Sequence, residues 1–501
     1  MKLFTADIQK KWDRHTVEAK SQRPLDLMEL AADLCVQTIL ESEYFGHYLV
    51  VCGIGNNGGD GLAIACLLRD AGMVVNVLIA GSADQGTPEF KTNLKRVMDT
   101  DIPVRFHTIG GSIDNRPETV IIDCIFGVGL NRPVEGIIAD AIMCINMSQC
   151  DVISIDVPSG MFTDWMMPQQ GPIVKAKLTI ALHSPKRAFM FPENEECIGR
   201  MQIVSLLLDD VFEAQNESDV QYYEWLNAYS DYIPRPLNTY KNKLGHGLII
   251  GGSMGKMGAV LLSAEACMRS GAGLCTMHIP SHALTIAQVS LREAMISCDP
   301  SADYVSKVPD LQPYQAIGIG PGLGQVDFTG QMLQELIQST SIPMVIDADA
   351  LNLIANNRIL SLLPPLSIIT PHPGEFDRLF GPHTSSFERV RTMRQMAQIH
   401  QLVIVLKGHY TAIATPDGQI FFNGSGVKGL ATAGAGDVLT GIITGLLCQG
   451  YAPECAARFG VFLHGEAGNQ ASFELSVETM LASDIIHNLS KPFSQLNEFS
   501  H

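Results

Sequence analysis

The most concentrated set of chemically useful residues lies in a glycine-rich segment near residue 55. Residues 52–61 read Cys-Gly-Ile-Gly-Asn-Asn-Gly-Gly-Asp-Gly, after an apolar strand pattern and before a helical one. Glycines let backbone amides approach a phosphate, and the N-terminus of a helix favours negative charge. The spacing differs from the dinucleotide pattern Gly-x-Gly-x-x-Gly with an acid about 20 residues later. A tight turn without a ligand is the alternative, but the two asparagines and the aspartate favour a binding loop.

Two aspartates end later strand patterns in the same half of the chain. Asp123 ends an apolar run and precedes Phe-Gly-Val-Gly-Leu-Asn-Arg-Pro at 126–133, and Asp156 ends another and precedes Val-Pro-Ser-Gly at 157–160. Either aspartate alone could be a helix cap or a turn former. Because ligands of open α/β sheets collect outside the carboxyl ends of strands, the three segments together predict one shared crevice.

A second glycine loop lies far along the chain. Residues 430–437 read Leu-Ala-Thr-Ala-Gly-Ala-Gly-Asp and lead into a helical pattern. Such a loop presents backbone amides where phosphoryl charge develops, and Asp437 behind it can accept a proton from an attacking hydroxyl. The arrangement resembles the active-site loop of the ribokinase-like fold.

Four segments at predicted strand ends support this second site. They are Lys-Gly-His-Tyr-Thr at 407–411, Thr-Pro-His-Pro-Gly-Glu-Phe at 370–376, Gly-Pro-Gly-Leu-Gly at 320–324 and Asp-Ala-Asp-Ala-Leu-Asn at 347–352. The first is a candidate nucleotide lip before a β-hairpin. His372 is either a turn residue or a ligand contact, and its two flanking prolines favour contact as much as the turn.

These loops need strands and helices to position them, and the hydrophobic pattern supplies two series. In the first half, strands are predicted at 48–52, 74–80, 120–124, 152–155, 178–182 and 204–208, with helices at 5–19, 25–42, 60–71, 89–98 and 136–146. The second half has strands at 248–251, 274–279, 316–319, 344–347, 367–370 and 402–407, and helices at 437–449, 454–472 and 477–489. Alternating elements predict parallel sheets covered on both faces, and therefore two different three-layer α/β domains. We place the domains at 1–213 and 222–490, with the division in the acidic segment 209–219 and a disordered tail beyond residue 490.

Composition excludes several other classes of protein. The chain has 501 residues, a formal net charge of −18 and 46% hydrophobic residues, which suits two to three globular domains and disfavours nonspecific binding to nucleic acid or anionic membranes. Its twelve cysteines form no metal-binding pattern, so we expect reduced, buried thiols in a cytoplasmic protein. Neither a signal peptide nor a membrane-spanning run is recognisable.

The motifs of the first half closely resemble those of the NAD(P)H-hydrate epimerases over about residues 4–208. The resemblance implies a Rossmann-like fold, a potassium ion held by Asn57, Asp123 and Ser159, and proton chemistry at Asp156. Residues 184–186, Ser-Pro-Lys, also match the family. The residues implied to bind the hydrated dinucleotide are Asn56, Asn57, Gly58, Gly59, Asp60, Gly127, Val128, Gly129, Leu130, Asn131, Arg132 and Pro133.

The motifs of the second half closely resemble those of the ADP/ATP-dependent NAD(P)H-hydrate dehydratases over about residues 235–489. This resemblance implies a ribokinase-like domain with Asp437 as the catalytic base, and a magnesium ion that accompanies ADP or ATP. Ala259, Gly322, His372 and Asp437 are implied to hold the hydrated substrate. The residues implied to bind the nucleotide are Lys407, Gly408, His409, Tyr410, Thr411, Gly434, Ala435 and Gly436.

The resemblance implies a two-step repair. The epimerase half interconverts the R and S hydrates of NADH and NADPH, and the dehydratase half removes water from the S hydrate with release of AMP and phosphate when ADP is used. Hydroxide is a poor leaving group, so phosphorylation of the C6 hydroxyl makes elimination feasible. Small apolar residues on the helices suggest a homo-oligomer.

Two departures from the family pattern keep other functions open. The segment 161–167 is bulkier than its family counterpart, and Val427 and Lys428 replace an Asn-Pro pair. One alternative is a small-molecule alcohol kinase with a dinucleotide-binding N-terminal domain, which Ala435 favours and the fused first half disfavours. The other is a dinucleotide sensor without turnover, against which the two catalytic aspartates argue.

Overall fold

The chain folds into two compact units, each with its own sheet. The computed structural model describes residues 1–113, 116, 118–164 and 171–498. One unit comprises Lys2–Ser218, and the other comprises Met1 and Asp219–His501. Within the described ranges, no helix is both long enough and apolar enough to span a membrane.

The first unit is built around a seven-stranded parallel sheet with the order β3-β2-β1-β4-β5-β6-β7. Its strands are β1 His47–Cys52, β2 Val75–Ile79, β3 Val104–Phe106, β4 Thr119–Cys124, β5 Asp151–Ile155, β6 Leu178–Leu182 and β7 Arg200–Val204. Its helices are α1 Ala6–Ala19, α2 Pro24–Glu41, α3 Asn56–Asp70, α4 Pro88–Met98, α5 Gly136–Met147, α6 Glu195–Ile198 and α7 Asp210–Gln215.

Helices cover both faces of this sheet. Along β1, Tyr48 and Val50 belong to an apolar cluster shared with α2 and α3, whereas Leu49 and Val51 belong to one shared with α5. Since side chains alternate between the faces of a strand, a strand buried on both sides must be apolar throughout, as β1 is. This confirms the predicted three-layer α/β architecture.

The second unit holds a ten-stranded sheet with the order β11-β10-β9-β12-β13-β14-β15-β16-β17-β8. Its strands are β8 Val220–Tyr223, β9 His246–Ile250, β10 Leu274–Pro280, β11 Met295–Asp299, β12 Ala316–Ile319, β13 Met344–Ile346, β14 Ile368–Ile369, β15 Val403–Leu406, β16 Ala412–Ala414 and β17 Ile420–Asn423. Its helices are α8 Trp225–Asp231, α9 Met257–Arg269, α10 Leu284–Ser290, α11 Asp327–Ser339, α12 Ala348–Asn357, α13 Pro373–Phe380, α14 Ser386–His400, α15 Ala435–Cys448, α16 Pro453–Leu475, α17 Ala482–Asn488 and α18 Ser490–Glu498.

Most of this sheet is parallel, and its last strands follow the predicted hairpin. Strands β9 to β15 pair in parallel, β15, β16 and β17 pair antiparallel, and β8 joins β17 in parallel. Helices α15 and α16 pack against the face that carries Val345, Ile368 and Val403. The site-bearing loops therefore lie at the carboxyl ends of parallel strands.

Several predicted boundaries were wrong. The last strand of the first unit is Arg200–Val204, and not residues 204–208, because Leu206 and Leu208 pack around α1 after the strand has ended. Helix α3 begins four residues earlier than predicted, so Asn56–Gly59 form its first turn. The tail predicted to be disordered forms α18, which buries Leu496 in the core of the second unit. Residues 499–501 lie outside the described part.

Candidate active sites

Three strand ends meet at one edge of the first sheet, as the sequence predicted. β4 lies between β1 and β5, so the residues after these strands are neighbours. The Asp123 carboxylate, fully buried, accepts hydrogen bonds from Ser154 Oγ at 2.9 Å, Ser159 N at 2.8 Å, Ser159 Oγ at 2.6 Å and Ile125 N at 3.2 Å. Four donors fill the acceptor positions of a carboxylate. Burial nevertheless dominates and raises the pKa of Asp123.

Asp156 is held in one position by a buried lysine. Lys186 Nζ lies 2.8 Å from Asp156 Oδ1 and donates to the backbone oxygens of Leu182 and Ser184, each at 3.0 Å. Asp156 has a φ of +68°, a left-handed conformation that a non-glycine residue adopts at a cost on the order of 1–3 kcal/mol. The backbone conformation and the ion pair together fix the position of the Asp156 side chain at the end of β5.

Asn57 presents a buried oxygen that lacks a donor. Its Nδ2 donates to Ile155 O at 3.2 Å, which fixes the orientation of the amide. Its Oδ1 has no hydrogen-bond partner among the described residues. An unsatisfied buried acceptor is costly, so this atom suits a cation or a donor from a ligand.

A cavity of about 570 Å³ opens beside these groups. Helix α1 forms much of one wall, and the start of α3 contributes two of the predicted binding residues, Asn56 and Asp60. Its lining residues include Lys10, Asp13, Arg14, Met28, Asn56, Asp60 and Glu89. Burial, followed by the charges of Asp156 and Asp13, raises the pKa of Asp60 well above its usual range.

Not all of the predicted binding residues line this cavity. Gly58 and Gly59 are buried, and an added Cβ would lie 1.9 Å from Gly53 O or 2.9 Å from Met28 Cε, so their small size serves packing. A Cβ on Gly127 would lie 2.8 Å from Asp156 Oδ2, and one on Gly129 would lie 3.7 Å from Lys10 Nζ. Asn57 and the whole loop 127–133 lie outside the lining, so of the predicted binding residues only Asn56 and Asp60 belong to it: the loop residues are Gly127, Val128, Gly129, Leu130, Asn131, Arg132 and Pro133.

The second site is a cavity of about 450 Å³ at the start of α15. It brings together three of the residues predicted to hold substrate, Ala259, Gly322 and Asp437. Burial, and then the charge of Asp347, raises the pKa of Asp437 to about 7, against the opposing effect of Lys407. A carboxylate with such a pKa can take a proton near neutral pH and release it again.

A buried ion pair stands behind the glycine loop. Lys407 Nζ lies 2.8 Å from Asp347 Oδ1 and 3.8 Å from Glu375 Oε2, and Thr440 Oγ1 donates to Asp347 Oδ2 at 2.8 Å. Burial would lower the pKa of Lys407, but Asp347 and Glu375 outweigh it and raise that pKa. A Cβ on Gly436 would lie 3.5 Å from Lys407 Nζ, so the ammonium adjoins the loop.

The loop itself is fixed at both ends. Gly434, the N-cap of α15, has a φ of +91°, which favours glycine. His464 Nε2 lies 3.0 Å from Ala435 O, and burial lowers the pKa of His464 to about 4, so the ring is neutral and donates from Nε2. The start of α15 is therefore held in place, and its Asp437 lies in the cavity lining.

His372 and the nucleotide lip have different surroundings. His372 caps α13: its Nδ1 accepts from Gly374 N at 3.0 Å, and Glu375 Oε2 accepts from its backbone N at 2.8 Å. Its neighbour Glu375 lines the cavity. Gly408 and His409 are exposed, and Tyr410 packs edge-on against His409 with ring centroids 4.5 Å apart. This segment is accessible to a nucleotide.

The departures from the family pattern lie beside the sites. Lys428 begins a short 3₁₀ helix, Lys428–Leu430, before the glycine loop. Met161 and Phe162 are buried, whereas residues 165–167 of the bulky segment lie outside the described part of the structure. All twelve cysteines lie within the described ranges and none forms a disulfide; eight are buried as predicted, Cys144, Cys197 and Cys455 are half-buried, and Cys298 is exposed.

One further group of metal-ligating types occurs in the described residues. His107 Nε2 lies 2.7 Å from Asp140 Oδ2, and Cys144 Sγ donates to Gly111 O at 3.3 Å. These side chains satisfy one another and tie the segment after β3 to α5. The group is explained by that structural role.

The two sites together define a class of protein. A carboxylate behind a glycine loop at a helix start is built for phosphoryl transfer, and the first unit offers a polar crevice at parallel strand ends. Residues 247–491 match the family described as NAD(P)H-hydrate dehydratase, and residues 24–188 match the YjeF-related protein N-terminus.

Relatives match across nearly the whole chain. The bifunctional NAD(P)H-hydrate repair enzyme Nnr of Moorella thermoacetica is 32% identical over 494 residues, which cover 94% of this chain and 93% of that protein. The chain belongs to the family of bifunctional NAD(P)H-hydrate repair enzymes.

Solved structures resemble about half of the chain. A ribokinase-like superfamily protein from Enterococcus faecalis V583 is 28% identical, with a TM-score of 0.50, and covers 56% of this chain and 98% of its own. The ADP/ATP-dependent NAD(P)H-hydrate dehydratase from Bacillus subtilis, co-crystallized with ATP/Mg2+, is 30% identical, with a TM-score of 0.49, and covers 55% of this chain and 99% of its own. The first of these supports the ribokinase-like fold predicted for the second half.

Sequence reasoning missed several residues of both sites. Asp13 carried no motif, Lys186 was noted only as a family match, and Asp347 and Glu375 only as parts of strand-end segments. A charged residue inside an otherwise apolar strand-end segment, as at Asp347 and Lys407, could have indicated a buried pair. His464 lies in the middle of a long helix and gave no signal.

Proposed function

We propose that the chain repairs hydrated NADH and NADPH in two steps, with an epimerase at residues 1–213 and a nucleotide-dependent dehydratase at residues 222–490. The observation that carries the proposal is the pairing of two unlike sites in one chain. One is the crevice with Asp156, and the other is the phosphoryl-transfer loop with Asp437. Both reactions act on the same compound, which accounts for their fusion.

In the first site, Asp156 handles a proton at C6 of the hydrated ring. Lys186 orients this carboxylate through a contact of 2.8 Å. The start of α3 receives the phosphates of the dinucleotide, since Asn56 and Asp60 of its first turns line the cavity and a helix N-terminus favours negative charge. The predicted binding loop 127–133 also belongs to this proposed site, because Gly127 lies next to Asp156 and Gly129 lies next to Lys10.

We also propose a potassium ion beside Asn57. The unsatisfied Oδ1 of Asn57 is a hard oxygen ligand of the kind that such an ion takes. Asp123 already accepts four hydrogen bonds, so it contributes charge and holds Ser159 in place. When bound, the ion supplies positive charge near the substrate.

In the second site, Asp437 accepts the proton of the C6 hydroxyl as that oxygen attacks the terminal phosphoryl group of ADP. Phosphate then leaves from C6 as the ring nitrogen's lone pair forms the new double bond, and loss of a proton from C5 restores the dihydronicotinamide. The products are NAD(P)H, AMP and phosphate. Lys407 and the amides at 434–436 stabilise the transferring charge.

The second site would also bind a nucleotide and a metal ion. Gly408–Thr411 would contact the nucleotide, since they are accessible and follow β15. The carboxylate of Glu375 in the cavity lining suits a magnesium ion, which proteins hold by one or two carboxylates together with substrate phosphates. When bound, magnesium neutralises phosphate charge. ADP is the expected nucleotide because fused chains of this family resemble the ADP-using type.

The decisive experiment follows the dihydronicotinamide absorbance while the purified chain acts on mixed R and S hydrates with ADP or ATP, potassium and magnesium. Recovery from both epimers, with inorganic phosphate as co-product, is expected. A stable phosphorylated product without absorbance would favour an alcohol kinase. Tight binding of the hydrates without turnover would favour a sensor.

We also propose where the protein is located in the cell and that it forms a homo-oligomer. Twelve cysteines without a disulfide suit a reducing compartment such as the cytoplasm. Self-association as a homo-oligomer is proposed from apolar side chains that remain exposed on α5, Met143 and Met147. Light scattering of the purified chain tests it, and a monomer at micromolar concentration would reject it.

A further inference from the structure

The first cavity contains a carboxyl group that no sequence motif predicted. This group has no hydrogen-bond or ion-pair partner among the described residues. Asp13 lies in the middle of α1 and lines the cavity together with Asn56 and Asp60. It is half-buried, and the segment that matches the YjeF-related family begins only at residue 24.

Helix α1 is anchored so that Asp13 must face the cavity. The preceding residue, Trp12, is fully buried; its Nε1 donates to Asp209 O at 2.8 Å, and its ring packs edge-on against Phe4 and His183. On the cavity side, Lys10, Arg14 and Val17 share the lining with Asp13. A half-buried aspartate without a hydrogen-bond or ion-pair partner contributes little to folding, so we look for a functional reason for its position.

Asp13 is electrostatically connected to the proposed reaction centre. Burial, and then the charge of Asp156, raises the pKa of Asp13 to about 6, while Lys186 opposes the shift. Asp60 also lies close enough for its pKa to respond to both Asp156 and Asp13. Asp156 is ion-paired with Lys186, whereas Asp13 has no ion pair among the described residues, so the two carboxyls form an unequal pair.

Inversion at a carbon that bears a hydroxyl needs two proton-transfer groups. The hydroxyl must leave as water from one face, and water must add to the other face. Asp156 is fixed by Lys186 and by its backbone, so it cannot serve both faces. We propose that Asp13 is the second acid–base residue of the epimerase, acting with Asp156 on opposite faces of C6; this inference rests on the proposed function.

The inversion proceeds by loss of water from C6 and its re-addition to the other face. The Asp13 carboxyl gives its proton to the C6 hydroxyl, the C6–O bond breaks, and the lone pair of the ring nitrogen forms a C6–N double bond with release of water. A water molecule then adds to the opposite face of C6 while Asp156 takes its proton. The product is the other hydrate, and the two carboxyls have exchanged one proton; solvent restores the starting state. No oxidant or reductant is involved.

The test compares Asp13→Asn, Asp13→Glu and Asp7→Asn in the full chain. Asp7 lies on the same helix, is exposed and pairs with Lys11, so its amide variant is the matched control. Conversion of pure R hydrate to S hydrate is followed by chiral separation without nucleotide. Dehydration of S hydrate with ADP is measured in parallel. In water labelled with oxygen-18, each inversion by the wild-type chain should place one label at C6.

For Asp13→Asn we expect kcat for inversion to fall about 100-fold or more, with KM within threefold and S-hydrate dehydration unchanged. Asp13→Glu should recover part of the loss, and Asp7→Asn should match the wild-type chain. Inversion by Asp13→Asn within twofold of wild type, a change confined to KM, or inversion by the wild-type chain without label would overturn the inference. If Asp13→Asn does not fold by circular dichroism, Asp13→Glu and the labelling result decide. A wild-type chain that inverts neither hydrate would instead refute the proposed function.

Discussion

At the scale of single residues, Asp437 has the sharpest consequence because it is a base with a pKa near 7. Burial and Asp347 raise its pKa, Asp349 adds to the rise, and Lys407 limits it. Since the ionised form accepts the proton, kcat/KM for the S hydrate should increase about tenfold per pH unit below pH 7 and level off above it. Asp437→Asn should abolish dehydration and leave inversion of the R hydrate intact. A flat profile from pH 5.5 to 8, measured by absorbance, contradicts the assignment.

The same carboxyl should lower stability where it is ionised. Its folded pKa of about 7 lies above the ordinary value of 3.8, so the folded state retains a proton that the unfolded state has lost between about pH 4 and 7. This contribution to stability is present at low pH and declines as pH rises through that window. Asp437→Asn should therefore raise Tm at pH 7.5 by roughly 2–4 °C for each kcal/mol gained and leave it unchanged at pH 4. Calorimetry at both pH values checks this, and a lower Tm at pH 7.5 is the contrary result.

The Lys407–Asp347 pair should behave as a unit. Lys407→Gln leaves Asp347 buried without its cation, so the free energy of unfolding should fall by about 3 kcal/mol. Adding Asp347→Asn should recover part of this loss, because the uncompensated charge is removed. Lys491→Gln breaks an exposed pair with Glu474 in the same unit and serves as the control. Denaturant titrations of the wild-type chain, Lys407→Gln, Asp347→Asn and the double variant give the coupling, and additive losses would show that the two groups are independent.

At the scale of elements, the loop after β4 is expected to tolerate no side chain at Gly127. An added Cβ would lie 2.8 Å from Asp156 Oδ2, so Gly127→Ala must displace the carboxylate or the loop. We expect inversion of the R hydrate to fall at least tenfold while dehydration of the S hydrate in the other unit is unaffected. Chiral separation and absorbance measure the two rates on one preparation. Full inversion activity in Gly127→Ala would mean that the loop moves freely.

The sequence predicted elements better than contacts, for a physical reason. Strands such as Leu178–Leu182 are read from a local apolar pattern, and the meeting of Asp123 with the glycine loop follows from the rule for parallel strand ends. Lys186 pairing with Asp156 and Lys407 with Asp347 depend on side-chain directions across distant segments, which no local pattern records. The strand predicted at residues 204–208 was wrong because an apolar run can pack beside a helix as well as continue a sheet.

At the scale of the whole molecule, the two units should be separable. The apolar clusters of the first sheet contain only residues from Ala32 to Val204, and those of the second sheet begin at Tyr223. Each unit thus encloses its own sheet and core, which is the requirement for independent folding. Two chains produced separately, residues 1–218 and 219–501, should each be folded by circular dichroism and unfold in a single transition.

The separated chains also give the cleanest account of the division of labour. Residues 219–501 with ADP should restore the S hydrate and leave the R hydrate to slow spontaneous inversion, whereas residues 1–218 should only equilibrate the two. Mixing the chains should restore recovery of both epimers, because each reaction is complete within one unit. The measurement is the final dihydronicotinamide absorbance from a known R and S mixture. Recovery of both epimers by residues 219–501 alone, as fast as by the intact chain, would show that the first unit does not supply the epimerase.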